Sequence, residues 1–291
     1  MDYMTHTLFG VAMYGALNKV NMDTKTKWAL FAASVGANVI PDIDIQWARA
    51  GADYLMSHRG ITHSFLMVPV WAVMFSLLSY AILRVKDRRI FIVAVVGVLL
   101  HIISDWTNAW GTGLLEPFTS RRYASGFVPN KGYVFWTFAA VLLPLLLLFR
   151  SKEHRRRIFR TFWVLGAVYV GFQLVHSAYV YADLKKDGYD QVAVRADRIP
   201  GGISYYAKKE DVVVEGRHEI GGESGIVRTF RNDPVDVEQL MQYRPARNLL
   251  LFAPFVVTQD LGESIRVFDP RFSGRVSILS VEVPASSRSV E

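Results

Sequence analysis

Long apolar runs fill the first 182 residues of this chain and leave it few folds to choose from. A helix needs roughly 20 apolar residues to cross a bilayer's hydrocarbon core. Four segments meet that need: 65–83, 90–109, 133–149 and 161–182. Two more, 4–20 and 28–40, are shorter or richer in Gly, Ala and Asn, as suits helices packed inside a bundle. The expectation is a polytopic bundle of about six membrane helices. After residue 182 the long apolar runs stop, so the chain divides into a helical membrane domain, 1–182, and a soluble domain, 183–291. Apolar residues begin at Leu8 with no basic stretch before them, so no cleavable signal peptide is expected.

Charge gives the orientation. The net charge is +7, but residues 1–182 carry 18 Lys/Arg against 9 Asp/Glu, while residues 183–291 carry 15 against 17. The surplus sits in short loops between apolar runs, which argues for a membrane protein and against a nucleic-acid groove. Loops 18–27, 84–89 and 150–160 hold 13 Lys/Arg; segments 1–6, 41–64 and 110–132 hold 5. Basic loops stay in the cytoplasm. The expectation is therefore a multi-pass protein of the cell membrane, with both termini and the C-terminal domain extracytoplasmic.

That domain reads as all-β, a small sandwich or barrel. "QVAVRA", "DVVVEG", "GIVRTF", "LLLFAPFVV", "SIRVFD" and "RVSILSVEV" are β-branched runs between turn residues, and 234–243 allows one short helix. His218 reads as a lone surface histidine.

There is no cysteine, so any metal must be held by His, Asp or Glu. On the expected topology those residues converge. His6 lies near the outer start of the first helix. "PDID" supplies Asp42 and Asp44 at the outer end of the second. "HRGITHS" sets His58 and His63 just before the third, and "HIISD" puts His101 and Asp105 on one face of the outer half of the fourth. Taken singly, His6 reads as a surface residue, "PDID" as a turn, His58 and His63 as caps or interfacial anchors, and His101–Asp105 as a buried hydrogen bond. Taken together they place seven potential ligands at a similar depth on one side of the membrane. Intramembrane ionisable groups are costly and usually functional.

Three Asp and four His exceed the needs of one tetrahedral ion, so two or three divalent ions are expected, zinc first, with manganese or iron as alternatives. Such ions activate water and clamp the oxygens of a phosphoryl ester. Arg59, between the two histidines of its motif, has a fork of donors suited to phosphate. Arg59 and Asp42 are the candidate catalytic residues. Arg121, Arg122 and Lys131 of the outer loop can supplement Arg59, or meet lipid headgroups.

"THTLFG", "PDID", "HRGITHS" and "HIISDW", in that order, resemble the YdjM-type family of membrane-bound, predicted metal-dependent hydrolases, over about residues 1–180. The resemblance implies His6, Asp42, Asp44, His58, His63, His101 and Asp105 as metal-site residues. The opening is also distantly similar to zinc-dependent phospholipases C, which implies phosphoester hydrolysis. The expected activity is thus hydrolysis of a phosphate ester on a lipid or lipid-linked substrate at the outer membrane face, with no nucleic-acid partner. A metal or proton transporter, and a scaffold or receptor stabilised by metal, are the alternatives. A transporter would continue its ionisable groups inward, and the cytoplasmic halves of the helices offer none. His176, in the outer half of the sixth helix, suits either.

Overall fold

A computed structural model describes residues 1–48, 53–149, 151–272 and 279–285. Helices occupy all six apolar segments: α1 (Tyr3–Ala16), α2 (Thr24–Ala37), α4 (Met67–Leu83), α5 (Arg88–Trp106), α6 (Tyr133–Leu148) and α7 (Lys152–Lys186). A short helix, α3 (Tyr54–Ser57), precedes α4, and 3-10 turns span Ile40–Gln46 and Ile61–His63. Side-chain caps start several of the helices. Asp2 accepts from Thr5 N at 3.0 Å, and Asp23 does the same for Thr26 N.

The six helices are not equal. Among the described residues, α5 and α7 have the length and apolarity to cross a membrane. The segment Tyr54–His63 with α4 makes a third candidate span, bent by 62° where the chain leaves its histidine motif. Fourteen-residue α1 and α2 reach only about 21 Å at 1.5 Å per residue, short of the roughly 30 Å hydrocarbon core. They pack inside instead. Helix α2 lies against α1, α4 and α5, and Ala29, Leu30, Ala33 and Ala37 are buried there. Gly10 makes the α1–α2 approach possible, because a Cβ there would stand 2.6 Å from Val35 Cα. The outward faces of α4, α5 and α7 carry Val70, Leu77, Ile82, Ile92, Val96, Val164 and Val168, an apolar belt left exposed by the described residues.

Helix α7 runs on past its apolar stretch to β1 (Gln191–Ala196). A four-stranded antiparallel sheet follows, in the order β1, β2 (Gly202–Lys209), β3 (Val212–Glu219), β4 (Gly225–Arg231). Helices α8 (Val237–Gln242) and α9 (Arg244–Phe252) lead to a three-stranded antiparallel sheet of β5 (Val257–Asp260), β6 (Ser264–Phe268) and β7 (Ser280–Pro284). Tyr206 and Val213 of the first sheet share a core with Val257 and Phe268 of the second.

Two expectations need correcting. The domain is not all-β: "LLLF" ends α9, because Pro245 starts a helix whose Ala246, Leu249 and Phe252 fall on one buried face. Strand β2 was not expected, since "GISYYAKK" lacks a β-branched run, yet Tyr206 and Ala207 are fully buried in it. Of the expected strand 275–283, residues 275–278 lie outside the described residues.

The two halves are joined by specific bonds. Arg271, fully buried with Asp269, donates from Nη1 to Ala109 O at 2.7 Å. Arg122 N donates to Leu251 O, and Ala196 N to Gly126 O. Leu55 and Ala109 sit in one apolar cluster with Leu249, Val267 and Val283. The sheets therefore cover the end of the bundle where residues 53–66 and 107–132 meet.

Candidate metal centre

Each motif reaches that end by a different local device. Asp42 and Asp44 lie in the 3-10 turn that Pro41 opens after α2. His101 and Asp105 are one turn apart on the buried face of α5. His6 is fully buried in α1, its ring stacked on His101 with centroids 3.7 Å apart. The loop 58–63 folds around Asp44, which accepts from Arg59 N at 2.9 Å and Thr62 Oγ1 at 2.7 Å and faces His58 Nδ1 at 2.8 Å. Arg59 takes a positive φ of 55° to make that turn. All seven expected ligands and Arg59 are thus buried at one end of the bundle.

The contact geometry separates them into two groups. Asp42, His63, His101 and Asp105 each offer a ligand atom within 4.8 Å of the others, and so do Asp42, Asp44 and His58. Asp42 belongs to both. In the first group His63 Nε2 lies 3.3 Å from Asp42 Oδ1, 3.4 Å from Asp105 Oδ2 and 3.1 Å from His101 Nε2. His101 Nε2 lies 3.6 Å from Asp42 Oδ1 and 3.5 Å from Asp105 Oδ2. Ligand bonds of about 2.0–2.1 Å set tetrahedral ligand atoms about 3.3–3.4 Å apart, so these separations are compatible with a coordination shell. His6 stands beside this group, with Nε2 3.2 Å from Asp105 Oδ1 and Nδ1 buried without a hydrogen-bond partner.

Proton positions sharpen the point. His101 Nδ1 lies 2.7 Å from the carbonyl of Asn38, which can only accept, so Nδ1 carries the proton. The Thr62 hydroxyl spends its proton on Asp44, so at 2.9 Å from His63 Nδ1 it accepts. A neutral imidazole protonated at Nδ1 has a bare Nε2. In their neutral forms the two imidazoles would bring two lone pairs 3.1 Å apart, flanked by the Asp42 and Asp105 carboxylates, an arrangement able to hold a cation. The Nδ1–H to carbonyl or hydroxyl bond is also how proteins orient metal-ligating histidines.

Nitrogen groups of the chain already crowd Asp105. The Met1 amino group is in contact with it, and Arg59 Nε lies 3.0 Å from its Oδ2. Arg59 also donates to Asn108 Oδ1 at 3.3 Å and to Met1 O at 3.2 Å. It is an interior residue and does not reach the lipid interface.

Of the other expected cations, Arg121 and Lys131 are exposed, whereas Arg122 is buried. Arg122 pairs with Glu116 at 2.9 Å and donates to Arg59 O at 2.8 Å and to Met56 O. It braces the histidine loop and does not face lipid. His176 and His218 meet each other instead, Nε2 to Nδ1 at 2.8 Å, so His218 is not a lone surface residue. Sequence reasoning missed Asn38, Thr62, Asn108 and Glu116. Only Thr62, inside its motif, carried a local signal.

Fold and site define a helical membrane protein with a buried His/Asp centre able to hold metal, covered by an antiparallel β domain. The particular family follows from comparison: a family model described as YdjM inner membrane protein matches residues 1–180, and the chain belongs to that family. The uncharacterized protein YfhP of Bacillus subtilis (strain 168) is 30% identical over 133 residues, covering 44% of this chain and 41% of that protein. The chain thus spans about two fifths of the length of the curated relative it matches. No solved structure matches.

Proposed function

We propose that this protein is a metal-dependent hydrolase that cleaves a phosphate ester of a lipid or lipid-linked substrate at the outer face of the cell membrane. The observation that carries the reading is the pair of Nε2 atoms of His63 and His101, 3.1 Å apart and set between two buried carboxylates. Asp42, His63, His101 and Asp105 would hold one divalent ion and Asp42, Asp44 and His58 a second, with Asp42 spanning the two. Imidazole and carboxylate donors without thiolate suit zinc, manganese or iron. Ions in such a site polarise a phosphoryl oxygen and make water acidic enough to attack near neutral pH.

The protein's own groups do the rest. Asp44 holds the histidine loop in place through Arg59 N, Thr62 and His58. Arg59, its guanidinium fixed by Asn108, presents charge beside Asp105, where developing negative charge on a phosphoryl group would be stabilised. The site ends a bundle with an apolar outer belt, which favours a substrate delivered from the bilayer.

The test is metal analysis of the purified protein, then phosphate release from a panel of phospholipids and polyprenyl phosphates. We expect bound divalent metal, turnover that a chelator removes, and loss of both in His101→Ala with membrane insertion intact. Metal that stays bound while no panel member is cleaved would favour a structural metal. The outer placement rests on charge asymmetry. Reporters fused at residue 115 should be extracytoplasmic and at residue 87 cytoplasmic; the reverse would put the site on the inner face.

A further inference from the structure

A cleft of about 800 Å³ opens between the first sheet and residues 129–133, the segment that leads into α6. Four cations line it, Lys131, Arg195, Arg198 and Arg217, against two acids, Asp197 and Glu215. Both acids are already engaged. Asp197 takes Arg217 Nε at 2.9 Å and the Ser204 hydroxyl at 2.9 Å. Glu215 accepts from the Tyr206 hydroxyl at 3.3 Å and faces Arg228 at 3.9 Å. Arg195 donates to the Arg271 carbonyl and lies over Tyr206. Among the described residues, Lys131 and Arg198 are left with no carboxylate at ion-pair distance. Arg198 lies over the ring of Tyr133, 5.8 Å from its centroid, at the rim of the cleft.

We infer that this cleft binds the phosphate-bearing head of a small polyol phosphate, Lys131 and Arg198 taking the phosphate. Lysine and the planar fork of arginine are the usual phosphate donors. The volume is far more than one phosphate ion fills and lies in the range of small-molecule pockets. Asn130 supplies a polar group for hydroxyls, and Tyr133 and Phe272 supply flat apolar walls. The cleft adjoins the metal centre along the chain: Val128 N donates to Thr107 O and Gly126 N to Asn108 O, just past Asp105. It remains a separate site, and the inference stands whether or not the metal centre hydrolyses anything.

The experiment titrates the full chain, in neutral detergent, with glycerol 3-phosphate and with glycerol as its uncharged twin. Glycerol 3-phosphate should bind and glycerol should not. Lys131→Ala/Arg198→Ala should weaken binding at least about tenfold, as expected for losing hydrogen bonds to a charged group. His101→Ala should bind as the unaltered protein does. Both cleft side chains are exposed, so the fold should survive; Arg198→Lys, which keeps the charge, should retain most of the affinity. A second arm repeats the titration in phosphatidylcholine nanodiscs with and without phosphatidylglycerol. Competition from phosphatidylglycerol assigns the cleft to a lipid head, and no competition assigns it to a soluble phosphate ester. Equal response to both probes, unchanged affinity in the double variant, or loss of binding in His101→Ala overturns the inference.

Discussion

Asp44 shows how one side chain can be legible in a sequence while its work is not. "PDID" announces a carboxylate, and resemblance makes it a ligand. In the structure it accepts from Arg59 N and Thr62 Oγ1 and faces His58 Nδ1, so it also fixes the loop that carries two other ligands. The carbonyl of Asn38 could not have been picked out at all, since any residue offers a carbonyl; yet it sets the tautomer of His101. Arg59 is the residue whose role is most open to test. Its Nη1 and Nη2 donate to Asn108 Oδ1 and Met1 O, and its Nε lies 3.0 Å from Asp105 Oδ2, three contacts held by one planar group. Lysine keeps the charge but not the fork. Removing a donor aimed at transition-state charge costs about 3–4 kcal/mol, on the order of a hundred- to thousandfold in rate. Arg59→Lys should therefore keep metal content and lose most phosphate-releasing turnover. Turnover per bound metal equal to that of the unaltered protein would leave Arg59 a structural residue.

Among the elements, apolar length located the helices, and packing decided what they became. The runs at 4–20 and 28–40 had the right composition for interior helices, and α1 and α2 stop at 14 residues each, too short to span alone. Periodicity failed at "LLLF", where a short apolar run fits helix and strand equally and only Pro245 favours the helix. Gly10 shows what the short helices are for. Alanine there would gain about 1 kcal/mol of helix propensity. Against that, its Cβ would meet Val35 Cα at 2.6 Å and Ser34 O at 2.8 Å, both backbone atoms that cannot swing aside. Overpacking of this kind costs about 1–3 kcal/mol, and it pushes apart the pair of helices that carries His6 on one member and the Asn38 carbonyl just beyond the other. Gly10→Ala should lower the midpoint of thermal unfolding and reduce metal affinity while the protein still inserts. A higher midpoint with unchanged metal affinity would mean that α1 and α2 have room the geometry denies them.

For the whole molecule, the question is why a candidate metal centre in a membrane protein should carry a domain of two sheets. A tethered module would need no buried bonds to the bundle. Here Arg271 is buried with Asp269, accepted by it through Nε and Nη2, and spends Nη1 on the carbonyl of Ala109, four residues past Asp105. Arg122 ties Leu251 of α9 to the loop of Arg59 in the same way, N–H to one and guanidinium to the other. The β domain therefore acts as a strut on the loops that end the helices of the His/Asp cluster, a role that no local sequence pattern discloses because both anchors are single arginines far from the motifs. Breaking a buried ion pair by removing one partner costs about 3–5 kcal/mol, because the other charge stays buried without compensation. Arg271→Met should cost that much within the β domain, seen as an early unfolding step. Through Ala109 it should also loosen the end of α5, lowering metal affinity although no ligand has changed. Asp269→Asn/Arg271→Met, which leaves no buried charge, should recover much of the stability but not the bond to Ala109, and so should still bind metal weakly. If metal affinity in both variants equals that of the unaltered protein, the centre is held by the helices alone and the strut has no hand in it.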